Sequence, residues 1–342
     1  MILTRSPFYY NVTFNEFTTS VDFILSVGRG STSSTTEIKN YSFTKAIPTN
    51  QTLNTWIDIS PYIQESYNHT SIDLSGISAN VVRESSIDSV LIASITAEKK
   101  DSIGNNQAPT SHKYIAVDGY SSYLEGQNLQ RTNKILLSHD EYKADYRGYF
   151  LVPLRVASGD SNPTVNGTAV PLSFADNNRN YIKYLVIFMA DYDSLITVAF
   201  GGETITVEPI EECKYEVNEI QFLNKFGVIE LMHTYKVKKE TINIESEKFK
   251  NNYTNGVSYD TKKHQLKRYN VGGNKKINLE TGFLNEEYNQ TIEQLLMSGY
   301  VWINGIPVNV DSSSLDFKTR IVDKLISYSL DFEYAFDEIN NV

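Results

Sequence analysis

The stretch Ile326-Ser-Tyr-Ser-Leu-Asp-Phe-Glu-Tyr-Ala335 decides the fold class. Ile326, Tyr328, Leu330, Phe332 and Tyr334 fall at every second position, with Ser327, Ser329, Asp331 and Glu333 between them. Side chains of an extended chain point alternately to opposite faces, so this period of two means a strand with one dry and one wet face. Working outward, residues 281–342 read as a compact unit in which a helix over 285–298 precedes strands at 301–303, 306–310 and 315–321. On the helix, Leu284, Tyr288, Ile292, Leu295 and Leu296 make one apolar stripe. Asn285 is placed to cap its start, Glu286 and Glu287 suit its positive end, and Gly299 stands where a C-terminal cap belongs.

Upstream, residues 215–222, 228–237, 241–244, 265–271 and 275–279 read as strands, with Gly227 turning the first pair and Gly272-Gly-Asn274 turning the last. Proline among acids at Glu208-Pro-Ile-Glu-Glu212 marks a linker. Before it lie strands near 8–14, 21–27, 53–59, 87–97, 114–117, 149–156, 184–189, 195–200 and 204–207. Gly201-Gly202 is a two-residue hairpin signal, 28–36 a polar loop, and Ser60-Pro61 the start of a short helix that turns Ile63 and Tyr67 inward. The expectation is a mainly β protein of two β-sandwich or barrel-like domains, residues 1–208 and 209–342, the second carrying the packed amphipathic helix.

Composition agrees with sheets: 23 Tyr and 16 Phe accompany abundant Thr, Ser, Ile and Val in 342 residues. A formal net charge of −10 argues against a general nucleic-acid binder. A single cysteine, Cys213, excludes an intrachain disulfide framework and fits assembly in a reducing cytoplasm. The first residues lack the charged start and long apolar run of a secretory signal, and the apolar run at 184–190 is too short for a bilayer-spanning helix.

Residues with catalytic or ligand-binding spacing are few. Gly28-Arg-Gly30 lacks the third glycine and the following helix that a dinucleotide site needs, and 271–276 reads as a hairpin turn, not a phosphate loop. His69, His112, His139, His233 and His264 are scattered without ligand spacing, and His139-Asp140 reads as a solvated loop. Asp331 and Glu333 share a strand face with serines, which is a wet outer face rather than a glycosidase pair. Glu211 and Glu212 beside Cys213 would raise its pKa, so the thiol reads as structural. No catalytic residue, cofactor or metal is expected.

Charge offers one candidate. Basic residues crowd 236–276, and Lys236, Lys238, Lys239, Lys262, Lys263, Lys267 and Arg268 are the expected subunit-interface residues, set to meet an acidic face of a neighbouring copy. The competing reading is lysine-blunted edge strands that prevent wrong pairing.

Several segments resemble structural tail proteins of phages infecting Bacteroidetes-type hosts. They are Cys213-Lys-Tyr-Glu-Val-Asn-Glu-Ile-Gln-Phe-Leu-Asn-Lys-Phe-Gly227, Leu279-Glu-Thr-Gly-Phe-Leu-Asn-Glu-Glu-Tyr288 and Gln294-Leu-Leu-Met-Ser-Gly-Tyr-Val-Trp302. Ile306-Pro-Val-Asn-Val310, the closing 325–341, Arg5-Ser-Pro-Phe-Tyr-Tyr-Asn-Val12 and Trp56-Ile-Asp-Ile-Ser-Pro-Tyr-Ile63 look similar too. The resemblance implies a non-enzymatic virion protein in an oligomeric ring of the tail or baseplate, partnered by its own copies and other phage tail proteins. Membrane and nucleic acid are not expected partners. A neck adaptor is the alternative within that family. Of a different class is a module that binds host surface glycan, for which Tyr9, Tyr10, Tyr120 and Tyr123 would have to cluster exposed. A polysaccharide-degrading enzyme would need a carboxylate pair in a cleft.

Overall fold

The computed structural model describes residues 1–15, 17–30, 35–48, 54–85, 89–172, 181–251, 258, 260–312 and 326–338. In chain order the elements begin with β1 (Ile2–Leu3), β2 (Tyr9–Thr13), β3 (Thr18–Gly30), β4 (Thr35–Ala46), β5 (Asn54–Asp58), α1 (Ser60–Gln64), β6 (Val81–Glu84), β7 (Val90–Asp101) and β8 (Thr110–Val117). Next come β9 (Glu141–Asp145), β10 (Tyr149–Arg155), β11 (Thr164–Val165), β12 (Thr168–Ala169), β13 (Ile182–Phe188), β14 (Ile196–Phe200) and β15 (Glu203–Ile210). Last are β16 (Asn218–Leu223), β17 (Ile229–Thr234), β18 (Lys238–Lys250), β19 (Leu266–Glu280), α2 (Tyr288–Leu296), β20 (Val301–Ile303), β21 (Ile306–Val310) and β22 (Ser329–Tyr334). The chain is mainly β with sandwich-like packing, as its alternation predicts.

Among the described residues five sheets form, and three apolar clusters join them. The β1-β8-β7-β3-β4 sheet buries Val21, Phe23, Leu25, Leu91, Ala93 and Ile95 under the β2–β5 ribbon and α1, which contribute Tyr10, Val12 and Ile63. The three-stranded β10-β13-β6 sheet is a middle layer, dry on both faces. Phe150, Val152, Leu185 and Ile187 pack with the β12-β11-β14-β15-β9 sheet and with the helix-bearing seven-stranded β17-β16-β20-β21-β22-β19-β18 sheet. Leu151, Tyr184 and Val186 face the other way, onto Leu3, Val117, Phe226, Leu231 and Trp302. The largest cluster therefore takes Ile205 and Val207 from before position 208 and Ile220, Phe222 and Met232 from after it.

Several local readings change. Residues 208–210, read as the start of a linker, continue β15 and pair in parallel with β9, Pro209 opposite Ala144. Past Val207 no strand among the described residues pairs with the other side of β15, so a residue without an N–H costs nothing there. Residues 28–30 and 35–36, assigned to a loop, extend the β3–β4 hairpin. A Cβ on Gly28 would stand 2.5 Å from the Thr36 carbonyl oxygen, so the close strand approach itself requires glycine. Gly272 and Gly273 lie inside one unbroken strand, opposite Glu245 and Ile244, and the irregularity is absorbed as a register shift with Asn270 at φ 49°. Helix α2 starts at Tyr288, three residues later than expected, because i→i+3 bonds from Tyr288 and Asn289 back to Asn285 and Glu286 form the entry turns. Its ends use neither Asn285 as side-chain cap nor a left-handed Gly299. Ser60 is the first residue of α1 rather than its cap, and its hydroxyl donates instead to the Ser6 carbonyl at 2.8 Å. The expected strand at 315–321 lies outside the described residues.

Candidate functional site

The β18–β19 hairpin is the feature of the surface that most needs explaining. β18 pairs with β19 from Lys238–Leu279 out to Lys250–Leu266, but β22 supports β19 only over Lys276–Glu280. The rest is a two-stranded arm about 30 Å long, at about 3.3 Å per residue. Two-stranded ribbons are marginal alone in water, and an apolar face makes them worse. Side chains directly opposite each other across an antiparallel pair share a face. The face that buries Leu279 and Ile277 at the base accordingly continues outward as Ile242 and Ile244, 48% and 55% exposed. Beyond the register shift, Phe249 and Tyr269 meet edge to face at 5.5 Å, with Lys267 opposite Phe249. Lys248, Lys250, Leu266 and Arg268 take the opposite face there.

The seven expected interface residues do not form one patch. Lys236 lies on the body and pairs with Glu212 at 3.2 Å, and Lys238 pairs with Glu240 at 2.8 Å at the arm's base. Lys239 is exposed on the opposite face of the base. Lys262, Lys263, Lys267 and Arg268 gather in the outer half and are exposed. What sequence reasoning missed is the apolar stripe between them: Ile242 and Ile244 were read as one short strand rather than as part of a long arm.

Two buried polar centres lie elsewhere. In the first, Arg5 Nε donates to the Asp118 carbonyl at 3.0 Å and stands 3.5 Å from its carboxylate. The same guanidinium reaches the carbonyls of Asn224 at 3.3 Å and Met297 at 3.4 Å, and covers the Tyr120 ring. His69 Nε2 lies 3.1 Å from Asp118 Oδ2, its ring held between Tyr67 and Tyr300. His69 also lines a hollow of about 270 Å³ with Thr70, Ser71, Asp73, Arg83 and Ser89. A His–Asp pair can orient an imidazole for proton transfer. Here Nδ1 is buried without a hydrogen-bond partner, so the ring presents no base to that hollow.

In the second centre, the fully buried Glu230 carboxylate accepts hydrogen bonds from Ser138 Oγ at 2.7 Å, Tyr142 OH at 2.8 Å and Asn224 Nδ2 at 2.7 Å. Burial raises its pKa, and those donors partly oppose the rise. His139, expected in a solvated loop, is buried beside it against Tyr142 and Tyr288, its Nδ1 2.9 Å from Thr291 Oγ1. Burial pushes both His139 and His233 down to about 4.

These rings set a pH dependence. Above about pH 6.5 they are neutral in both states and contribute no slope. As pH falls, the unfolded chain takes up their protons first, so stability is lost between about 6.5 and about 4, up to about 3 kcal/mol per ring. Glu230 acts oppositely, since its raised folded pKa lets the native state bind a proton first. A net loss smaller than the sum of the two rings' contributions is expected across that window in urea melts. The slope should flatten in a His139→Gln/His233→Gln variant; an unchanged slope would assign the loss to other groups.

Cys213 is exposed and free, on the surface rather than in a core. Asp331 and Glu333 stand on the outer face of β22, accepting from Asn278 and Asn274. Among the described residues no three His, Cys, Asp or Glu side chains are placed to hold a metal ion, and no helix is long and apolar enough to cross a membrane. Tyr10 is buried, so the four tyrosines named for glycan stacking are not all available. An exposed aromatic does exist nearby. Trp56, edge-on to Tyr9 and covered by Lys45 Nζ at 4.6 Å, borders a hollow of about 390 Å³ with Phe43, Asp58, Pro61 and Tyr62. No protein-family model matches this chain, and no curated protein sequence matches it either.

Proposed function

We propose that this chain is a non-enzymatic structural subunit of a tailed-phage particle, one of several copies in a ring of the tail or baseplate. The observation that carries the assembly part is the arm: a 13-residue strand paired with a 15-residue strand, mostly exposed on both faces and studded with apolar side chains. Such a ribbon is stabilised by a surface from outside its own chain, and copies related by a closed rotation supply one naturally. The phage assignment rests on the sequence segments that resemble tail proteins. Large cores sandwiched between sheets suit a load-bearing part, and the two buried polar centres hold loops rather than present groups to solvent.

Immunogold labelling of intact particles with antibody against the recombinant chain tests this reading. Gold at the distal tail supports the baseplate position, gold at the head–tail junction makes it a neck adaptor, and no gold on accessible, disassembled particles ends the virion assignment. The glycan reading is favoured by one observation, the Trp56 platform beside an open hollow. Saccharide binding that Trp56→Ala abolishes would establish it.

A further inference from the structure

We propose that the outer half of the arm docks on the C-terminal strand of a second copy of this chain. The inference rests on the reading of the chain as a ring subunit and names the surfaces that would join. Residues 247–250 and 260–268 hold six basic side chains against two acidic ones. Residues 326–338 hold four carboxylates and no lysine or arginine. The two surfaces are opposite in charge within a protein that is otherwise strongly acidic.

At home only Glu338 of the C-terminal carboxylates forms a salt bridge among the described residues, with Lys275 at 3.0 Å. Among the described residues Lys248, Lys250, Lys262, Lys263 and Arg268 form no salt bridge, and neither do Asp331, Glu333 and Asp337. Geometry explains why. β22 meets β19 only at its base, where Lys276 faces Glu333, and the chain beyond β22 follows β19 only as far as the Glu338–Gly273 hydrogen bond. Arg268 lies five residues further out, about 15 Å along an extended strand. The arm therefore carries its cations away from its own carboxylates and towards whatever lies beside it.

Apolar groups match as well. The outer arm offers Phe249 and Tyr269 on one face and Leu266 on the other, each between 43% and 59% exposed. Two residues past the C-terminal strand stands Phe336, 47% exposed and packed on Tyr334 with ring centroids 5.5 Å apart. On the charged face Leu266 stands among Lys248, Lys250 and Arg268, an apolar side chain within complementary charge, which suits a specific contact. Because donor and acceptor surfaces differ, the contact is head-to-tail and propagates around a ring.

Charge reversal tests the docking on the full chain. The wild type is expected to self-associate in sedimentation velocity, less so as salt is raised. Lys248→Glu/Arg268→Glu and Asp331→Lys/Asp337→Lys should each weaken association by at least about 100-fold, since each sets like charges together. An equimolar mixture of the two variants should recover it, because every reversed arm then finds a reversed strand. Recovery also shows that both variants are folded. A wild type that stays monomeric, reversals without effect, or a mixture that fails to recover would overturn the docking. None of these results bears on where gold binds the particle, so the failure of this inference and of the virion reading can be told apart.

Discussion

Gly227→Ala is expected to destabilise the protein by about 2–5 kcal/mol, a large share of the 5–15 kcal/mol typical of a folded domain. Gly227 has φ +74°, where a side chain alone costs about 1–2 kcal/mol. An added Cβ would also stand 2.5 Å from the Gly119 nitrogen and 2.7 Å from the Asp118 carbonyl carbon. Backbone is the obstacle on both sides, and it cannot swing away as a side-chain tip would. The Tyr120 amide donates to the Lys225 carbonyl at 2.9 Å, the Asn224 amide to the Val228 carbonyl at 2.9 Å, and the Gly227 amide to the Asn224 carbonyl at 3.0 Å. Overpacking a fixed contact adds about 1–3 kcal/mol. Gly76 supplies the control: it has the same φ of +74° with nothing within 4 Å of a built Cβ. Gly76→Ala should lose only the backbone part, about 1–2 kcal/mol. Equal losses in the two variants, measured by urea unfolding, would mean that the 118–120 and 225–227 segments are not in contact.

That contact also shows where sequence reading reaches its limit. Strands with one wet and one dry face are legible because the alternation is local, and β22 is the clearest example. The turns at Gly201-Gly202 and Gly227 are legible for the same reason, since positive φ selects glycine at the spot. β13 reads as a strand from its apolar run, but nothing in Ile182–Phe188 tells which sheets cover its two faces. The arm was hidden because Gly272-Gly273 has the composition of a turn, whereas both residues adopt ordinary extended backbone opposite β18. Proline among acids at 208–212 misled similarly, because the missing N–H of Pro209 matters only if a strand lies on that side.

The buried centres were the least legible. Arg5, His69 and Asp118 are polar residues far apart in the chain, and each alone reads as surface. Only the fold reveals that Asp118 and His69 are nearly inaccessible, or that Glu230 and His139 lie within the body. The candidate interface was legible as a run of lysines, yet the lysines divide between base and tip. The apolar stripe along the arm became visible only once the hairpin's length was known.

Arg5→Met is expected to cost about 3–5 kcal/mol, the range for removing one partner of a buried ion pair. Methionine keeps most of the apolar stem and deletes the charged fork. Asp118 would then be left 4% exposed without its guanidinium partner, and the carbonyls of Asn224 and Met297 would lose their donor. Arg5→Lys should recover less than half of the loss. A single ammonium has the charge but not the planar fork that spans Asp118, Asn224 and Met297 together, nor the flat face that covers Tyr120 at 4.9 Å. The decisive comparison is Arg5→Met/Asp118→Asn. If the stranded carboxylate is the main penalty, the double variant is more stable than Arg5→Met alone, since neutralising Asp118 removes the uncompensated charge. If the two losses simply add, the guanidinium acts through its carbonyl contacts and its packing on Tyr120, and the pair with Asp118 is incidental. In either case Arg5 ties the first residues of the chain to the turn at Asn224 and the end of α2. Its loss should therefore lower the unfolding midpoint seen by probes in all three places.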